Sequence, residues 1–204
     1  DTVTLEVKVD GLNLIRKDYT VRQYADVILS GDYSNQTKAL VTEMLGFGSA
    51  AQTYFGHGGA AADAGIDGFA NAEIPAVAEQ EMAVSGEVAG IRFYAASLVY
   101  RSATAVRIYF KADDISGYTF TANGSEVEAQ AGKDMWYIEV ADINPQDLKN
   151  QVNVTVTDGA DTLSVSYGPM NYIVRMNLKG SDELKALLKA LYNYHNAAVS
   201  YVNS

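Results

Sequence analysis

The sequence predicts an α+β fold: an antiparallel β-sandwich with two helical hairpins, formed by an internal ββαα repeat, packed on one side. Three observations predict it. Several short segments alternate apolar and polar residues, as strands with one buried face do. Tight-turn dipeptides follow some of these segments. Near each end of the chain, two alternating segments precede two stretches whose apolar residues have helical spacing.

The first 20 residues predict a β-hairpin. Residues 2–9 alternate, the turn dipeptide Asp10-Gly11 follows, and residues 12–17 return as the second strand. The strand face expected to be half-buried consists of Val3, Leu5, Val7 and Val9.

Two helices are expected between the hairpin and residue 55. Thr20 and Gln23 have the spacing of a capping box, which marks the start of the first helix, and Gly31 ends it. The second helix begins near Ser34 and ends at the glycine cluster 56–59. The expected inward face comprises Val21, Tyr24, Ala25, Ile28 and Leu29 in the first helix, and Leu40, Val41, Met44, Ala51, Tyr54 and Phe55 in the second.

The same order of elements is expected in residues 149–204. A hairpin over 152–167 turns at Asp158-Gly159. Pro169 suits the first position of a helix, and Ser181 is the expected cap of a last helix that runs to about residue 202.

The two ends of the chain resemble each other in sequence. Residues 34–55 and 181–202 align without gaps, with seven identities in 22 positions. Because turn, cap and tyrosine spacing also match, we interpret the two ends as copies of one ββαα unit. Their helices are expected to pack together through small residues. Their tyrosines are expected to serve as packing, namely Tyr19, Tyr24, Tyr54, Tyr167, Tyr172, Tyr194 and Tyr201.

Residues 81–142, between the copies, predict further antiparallel strands. Asn123-Gly124 is a hairpin turn, and Asn144 is the expected cap of one helical turn at 145–149. The chain is therefore interpreted as a single domain, 1–204, composed of a repeat unit at 1–55, a loop and β-rich insert at 56–148, and a second repeat unit at 149–204.

Composition argues against several classes of function. The chain has 25 Asp and Glu against 15 Lys and Arg, a net charge of −10, which repels nucleic acid and anionic membrane surfaces. No apolar run approaches the ~20 residues that span a bilayer. The absence of cysteine excludes disulfides, thiolate metal sites and cysteine nucleophiles. We expect neither a nucleic-acid partner nor membrane insertion.

Aromatic residues on the predicted strands suggest a binding surface. By strand parity, Tyr94, Tyr109 and Tyr137 share one sheet face with Arg92 and Arg107. Flat aromatic rings of this kind stack against sugar rings. The candidate glycan-binding residues are therefore Tyr94, Tyr109, Tyr137, Arg107 and Trp136. Parity places Trp136 on the opposite face, with the core. The alternative is that the helical hairpins cover the tyrosine face and that these rings are a packing layer.

Other chemistry has little support in the sequence. Asp63 and Asp67 are calcium candidates, although their spacing does not match an EF-hand loop. No pair of carboxylates stands out at a spacing that would indicate a glycosidase. We therefore expect no enzymatic activity and no cofactor, with calcium as the one ion considered.

Several segments resemble a module found in large secreted or cell-surface proteins of gut and rumen clostridia, of the ruminococcal, cellulosome-associated type. They are YTVRQYADVIL at 19–29, KALVTEMLGFGSAAQTYFG at 38–56, FANA at 69–72, ASL at 96–98, VRIYF at 106–110 and LKALYNY at 188–194. The resemblance implies an extracellular or cell-surface location and no catalytic residues. Because the sequence starts at Asp1 without an initiator methionine or a signal peptide, we also expect it to be a segment cut from a longer, processed protein.

A non-catalytic module that helps attach cells or enzymes to plant polysaccharide or another glycan is the expectation that follows. Its other partners would be the neighbouring domains of the larger chain. A structural spacer or protein-interaction module with no glycan ligand is the alternative.

Overall fold

A computed structural model describes residues 2–10, 12–57, 72–100 and 103–204. It has a mixed α+β fold whose strands pair antiparallel throughout the described residues. The chain divides into two compact units, Asp1–Ala72 with Lys189–Ser204, and Glu73–Leu188. The single domain 1–204 remains a prediction.

The first unit contains a β-hairpin and two helices near the predicted positions. Strands β1 (Thr2–Val9) and β2 (Leu12–Thr20) pair antiparallel and lead into helices α1 (Val21–Ser30) and α2 (Asn35–Tyr54). The capping box is confirmed: the Gln23 amide donates to the Thr20 hydroxyl at 3.1 Å, and the Thr20 amide donates to the Gln23 side chain at 2.9 Å. Ala25, Ile28 and Val41 form the buried cluster between the two helices.

The second unit contains nine strands, all within the described part of the chain, and its helices. The strands are β3 (Ala83–Ser85), β4 (Arg92–Tyr100), β5 (Thr104–Lys111), β6 (Thr119–Ala122), β7 (Ser125–Val127), β8 (Gln130–Ala131), β9 (Trp136–Val140), β10 (Val152–Thr157) and β11 (Thr162–Tyr167). One sheet has the order β3-β11-β10-β6-β7 and the other β4-β5-β9-β8. Helix α3 (Pro169–Lys179) follows, and α4 (Asp182–Val202) runs from this unit into the first.

The buried faces of these two sheets contact each other. The rings of Phe110 on β5 and Phe120 on β6 meet edge to face, with centroids 5.8 Å apart. Val106, Ile108 and Val156 are completely buried beside them. This apolar layer fixes which side of β5 faces the core and which side is left for other contacts.

Two predicted turns differ in outcome. Asn123 and Gly124 join β6 to β7 with φ angles of 50° and 84°, the conformation that makes Asn-Gly favourable in two-residue hairpins. A 3₁₀ turn at Pro145–Asp147 follows Asn144, but the Asn144 side chain caps no backbone group. It donates instead to the Asp147 carboxylate at 3.3 Å, so Asn144 has the predicted N-cap position without a side-chain capping bond.

Several residues predicted to face inward are exposed. They are Val3, Leu5, Val21, Tyr24, Tyr54 and Phe55, together with the predicted packing residues Tyr19 and Tyr201. Helix α1 is short and packs on α2 and β2, so Ala25 and Ile28 suffice for its contact and Tyr24 stays 70% exposed. Apolar spacing therefore predicted the helices correctly, but it predicted too many buried residues on each of them. The side chains of Val7 and Val9 lie outside the described residues.

The packing role holds for three of the tyrosines. Tyr167 is 2% exposed. Tyr172 meets Tyr100 edge to face at 6.4 Å, and Tyr194 stacks on Phe47 at 6.0 Å between ring centroids. All three belong to the second predicted repeat, whose other predicted packing tyrosine, Tyr201, is 44% exposed.

Tyr167→Phe is predicted to stabilise the second unit. The Tyr167 hydroxyl is buried and has no hydrogen-bond partner among the described residues, which costs about 1–3 kcal/mol. Removing it should raise the free energy of unfolding by about 1 kcal/mol at neutral pH. Urea unfolding followed by Trp136 emission measures this, since Trp136 is the single tryptophan and lies in the same unit.

The same variant should be less sensitive to base. Burial raises the pKa of Tyr167 to about 12. The folded state thus favours the neutral phenol, and the stability that depends on it is present below the ordinary tyrosine pKa and is lost as the pH rises towards 12. The difference in the free energy of unfolding between the native chain and Tyr167→Phe should grow by about 2 kcal/mol over this interval.

Tyr118→Phe is the control for both predictions. The Tyr118 hydroxyl donates to the Ala89 carbonyl at 2.6 Å, so this variant should lose stability. Equal effects of the two substitutions would contradict the assignment.

Candidate functional site

The alternation of β5 creates the candidate surface. Val106, Ile108 and Phe110 point into the core and are completely buried. Arg107, Tyr109 and Lys111 therefore lie on the other face, where they are half-buried. We call this side of the four-stranded sheet the outer face. On β9, opposite them, Tyr137 pairs with Tyr109 and Glu139 with Arg107.

A β-bulge brings Tyr94 onto the outer face. The pairing of β4 with β5 shifts register between Phe93 and Ala95, so Tyr94 is the extra residue. Ala95 pairs with Tyr109 and so lies outside, whereas strict alternation predicts it inside. The structure therefore keeps Tyr94, Tyr109 and Tyr137 on one face, as predicted, and corrects the position of Ala95.

An ion pair lies at the centre of the outer face. The Arg107 Nε donates to the Glu139 carboxylate at 2.5 Å, and the guanidinium carbon lies 4.4 Å from the centroid of the Tyr137 ring. Burial by itself would lower the pKa of Arg107, but hydrogen bonds to Glu139 and Tyr109 and the charge of Glu139 outweigh it and raise that pKa. Arg107 is therefore a fixed, neutralised cation.

The hydroxyls of the two half-buried tyrosines are held by neighbouring side chains. Ser97 donates to the Tyr109 hydroxyl at 3.3 Å, and the Tyr137 hydroxyl donates to Gln130 at 2.8 Å. The two rings lie 5.8 Å apart with a tilt of 47°. These bonds fix the orientation of the rings before any ligand arrives. The Arg107 guanidinium occupies one face of the Tyr137 ring, so that face is not free for a ligand.

Tyr94 is the most accessible ring of the three. Its side chain is 48% exposed, and Lys111 Nζ lies 4.6 Å from its ring centroid. Beside this pair, a concavity of about 420 Å³ opens to solvent, within the size range of small-molecule sites. Its lining residues are Gly90, Ile91, Arg92, Lys111, Ala112 and Asp113.

Trp136 does not belong to the outer face. It pairs with Phe110, shares the face of the buried Ile138, and donates its indole N–H to the Ala112 carbonyl at 3.2 Å. Trp136 therefore lies on the face opposite the three tyrosines, as parity predicts, and its part in glycan binding stays a prediction. Its hydrogen bond nevertheless holds a residue that lines the concavity.

The sequence reasoning missed Lys111 as a site residue. Parity on β5 places residue 111 on the same face as 107 and 109, so extending the alternation by one step would have found it. The structure also gives Glu139 a role, as the partner of Arg107, that no sequence spacing indicates.

The structure offers no support for a metal centre in the parts of the chain that it describes. Among those residues, no group of three or more His, Asp or Glu side chains could hold a metal ion. The calcium candidates Asp63 and Asp67 lie outside the described residues. His195 is buried and stacks on Tyr192, with ring centroids 5.9 Å apart.

Comparison with known proteins assigns no function to the residues of the outer face. No protein-family model, curated protein or solved structure matches the chain. Among the described residues, no helix combines the length and the apolar character needed to cross a membrane.

Glu139→Leu is predicted to destabilise the second unit. The side chains of Arg107 and Glu139 are 14% and 23% exposed, so losing one partner leaves a charge that solvent only partly compensates. We expect the free energy of unfolding to fall by about 1–3 kcal/mol. Urea unfolding monitored by Trp136 emission measures this loss.

A double variant and an exposed pair are the controls for this experiment. Arg107→Leu combined with Glu139→Leu should recover most of the loss, because both charges are then absent. Glu79→Leu breaks a more exposed pair with Lys149 and should change stability by less than about 0.5 kcal/mol. Additive effects of the two outer-face substitutions would contradict the coupling.

Proposed function

We propose that the chain is a non-catalytic, extracellular carbohydrate-binding module that serves a bacterial polysaccharide-degrading or cell-surface protein. The observation that carries the proposal is Tyr94, half-exposed beside the concavity and on the same face as two fixed tyrosines. The candidate ligand is a plant polysaccharide or another glycan.

The chemistry of the outer face suits a sugar. The face of an aromatic ring is electron-rich, so it attracts the slightly positive C–H groups on the flat side of a pyranose. Polar groups near the ring then bond to the sugar hydroxyls, and Arg92, Lys111 and Asp113 lie around the concavity next to Tyr94. Since Tyr109 and Tyr137 are half-buried, Tyr94 supplies most of the stacking area in this proposal.

The location and company of the module rest on the resemblance in sequence. We propose a secreted or cell-surface location and neighbouring domains in a larger chain because several segments resemble the clostridial module. The absence of catalysis is a proposal too, and it rests on the same resemblance.

We also propose the finer architecture, a β-sandwich with two copies of a ββαα unit. Matching registers support it: Val3, Leu5 and Val7 pair with Tyr19, Lys17 and Ile15, and Val152, Val154 and Val156 pair with Tyr167, Val165 and Leu163. The stacked rings of Phe47 and Tyr194 occupy aligned positions of the two predicted copies. Contact between aligned positions is typical of elements related by a two-fold axis.

One observation favours the alternative function, a structural or protein-interaction module. Val3, Leu5, Ile15 and Tyr19 share one face of the first hairpin and are 47–70% exposed. Their counterparts in the second hairpin are nearly completely buried. Apolar surface left exposed in this way is common where proteins meet. This alternative predicts no saccharide affinity for the isolated chain.

Tyr94→Ala is predicted to weaken glycan binding at least tenfold, because it removes the accessible stacking ring. The measurement is affinity electrophoresis against a panel of plant polysaccharides, followed by calorimetry with oligosaccharides of the one that retards the chain. Tyr109→Ala and Tyr137→Ala should weaken binding as well, by disturbing the surface beside Tyr94.

Tyr33→Ala is the matched control for this substitution. Tyr33 is 47% exposed, like Tyr94, but it lies between α1 and α2 rather than on the outer face. It should leave binding unchanged. No retardation by any polysaccharide would contradict the proposed function, and equal losses in both variants would contradict its location.

A further inference from the structure

Two basic side chains stand together at one end of the outer face. Arg92 on β4 pairs in register with Lys111 on β5, so both side chains project from the same side of the sheet. Both line the concavity beside Tyr94. Like charges directly opposite each other on a sheet are unfavourable, so this pair costs stability unless something negative lies near it.

No described carboxylate forms an ion pair with either of them. Arg107, in contrast, is neutralised by Glu139 at 2.5 Å, and Lys149 pairs with Glu79. The concavity does contain Asp113, which balances one of the two charges without an ion pair. Among the lining residues one positive charge therefore remains uncompensated, in a chain with a net charge of −10.

Tyr94 gives this positive site an aromatic wall. Lys111 Nζ lies over one face of its ring at 4.6 Å, and the ring is half-exposed. Because Lys111 occupies one face, a sugar would stack on the other face of the ring, and substituents that extend past the edge of the ring would approach Lys111 and Arg92. A guanidinium binds a carboxylate with two parallel hydrogen bonds, which a neutral hydroxyl cannot accept in the same way.

From these observations we infer that the site selects an acidic glycan, a saccharide whose rings carry carboxylates, as uronic acids do. Tyr94 stacks on the sugar ring, and Arg92 and Lys111 bind its carboxylate. This inference rests on the proposed function, since it names the class of glycan that the same surface takes.

The negative net charge of the chain does not prevent such binding. At physiological ionic strength charges separated by more than about 8 Å are largely screened, so a bound carboxylate responds mainly to the charges around the concavity. The local pair therefore sets the preference, and the net charge mainly slows the approach of a long acidic polymer.

The test compares oligogalacturonate with neutral cello- and xylo-oligosaccharides of equal length, by calorimetry in 0.15 M salt. We expect the acidic ligand to bind at least tenfold more tightly. Trp136 emission should change on binding, because its indole N–H holds Ala112 at the edge of the concavity. The Arg92→Gln and Lys111→Gln double variant should lose this preference and keep whatever affinity the chain has for neutral sugars.

Lys179→Gln is the control for the loss of a positive charge elsewhere in the unit, since Lys179 is an exposed lysine at the end of α3; it removes one charge, as each single substitution of the double variant does. It should bind oligogalacturonate as the native chain does. Circular dichroism and urea unfolding verify that the double variant is folded.

Each other outcome overturns a distinct part of the account. Equal affinity for acidic and neutral sugars, unchanged in the double variant, overturns the acidic preference and leaves the proposed function intact. Tighter binding of a sulfated oligosaccharide than of oligogalacturonate overturns the assignment to carboxylates. No binding of any saccharide overturns the proposed function together with this inference.

Discussion

The period-two alternation of β5 is the constraint on which the rest of the second unit depends. Val106, Ile108 and Phe110 are completely buried and anchor the contact with the opposite sheet. Because side chains of a strand alternate strictly, burying these three residues leaves Arg107, Tyr109 and Lys111 on the outer face. A shift of one residue in register would bury two cations and expose the core, so the energy that holds the fold together also holds the candidate site in place.

Much of this fold could be predicted from sequence because its signals are local. The hairpin over β1 and β2, the capping box at Thr20 and the proline at the start of α3 each depend on residues a few positions apart. The exposure of Tyr24 and Tyr54 could not be predicted, since helical spacing says which residues share a face and not how much of that face a partner covers. A short strand such as β3 forms only through pairing with a distant segment, here β11, and its own sequence carries little signal.

The candidate site shows the same division. Parity sufficed to group Tyr94, Tyr109 and Tyr137 and to set Trp136 on the other side. The bulge at Tyr94, the Arg107–Glu139 ion pair and the concavity beside Lys111 all depend on how different strands pair with one another, which the alternation within one strand does not indicate. The resulting surface has a neutralised cation at its centre and unpaired basic side chains at one end, which explains why accessible stacking and positive charge occur together at Tyr94.

The most direct test of the central claim is to map the glycan contact residue by residue, by amide chemical-shift titration of the native chain. The account predicts that a bound oligosaccharide shifts the amides of β4 and β5 around Arg92, Tyr94 and Lys111, with smaller changes along β9. Shifts confined to the first hairpin, or to the helices, would contradict the claim that the outer face of the four-stranded sheet is the binding surface.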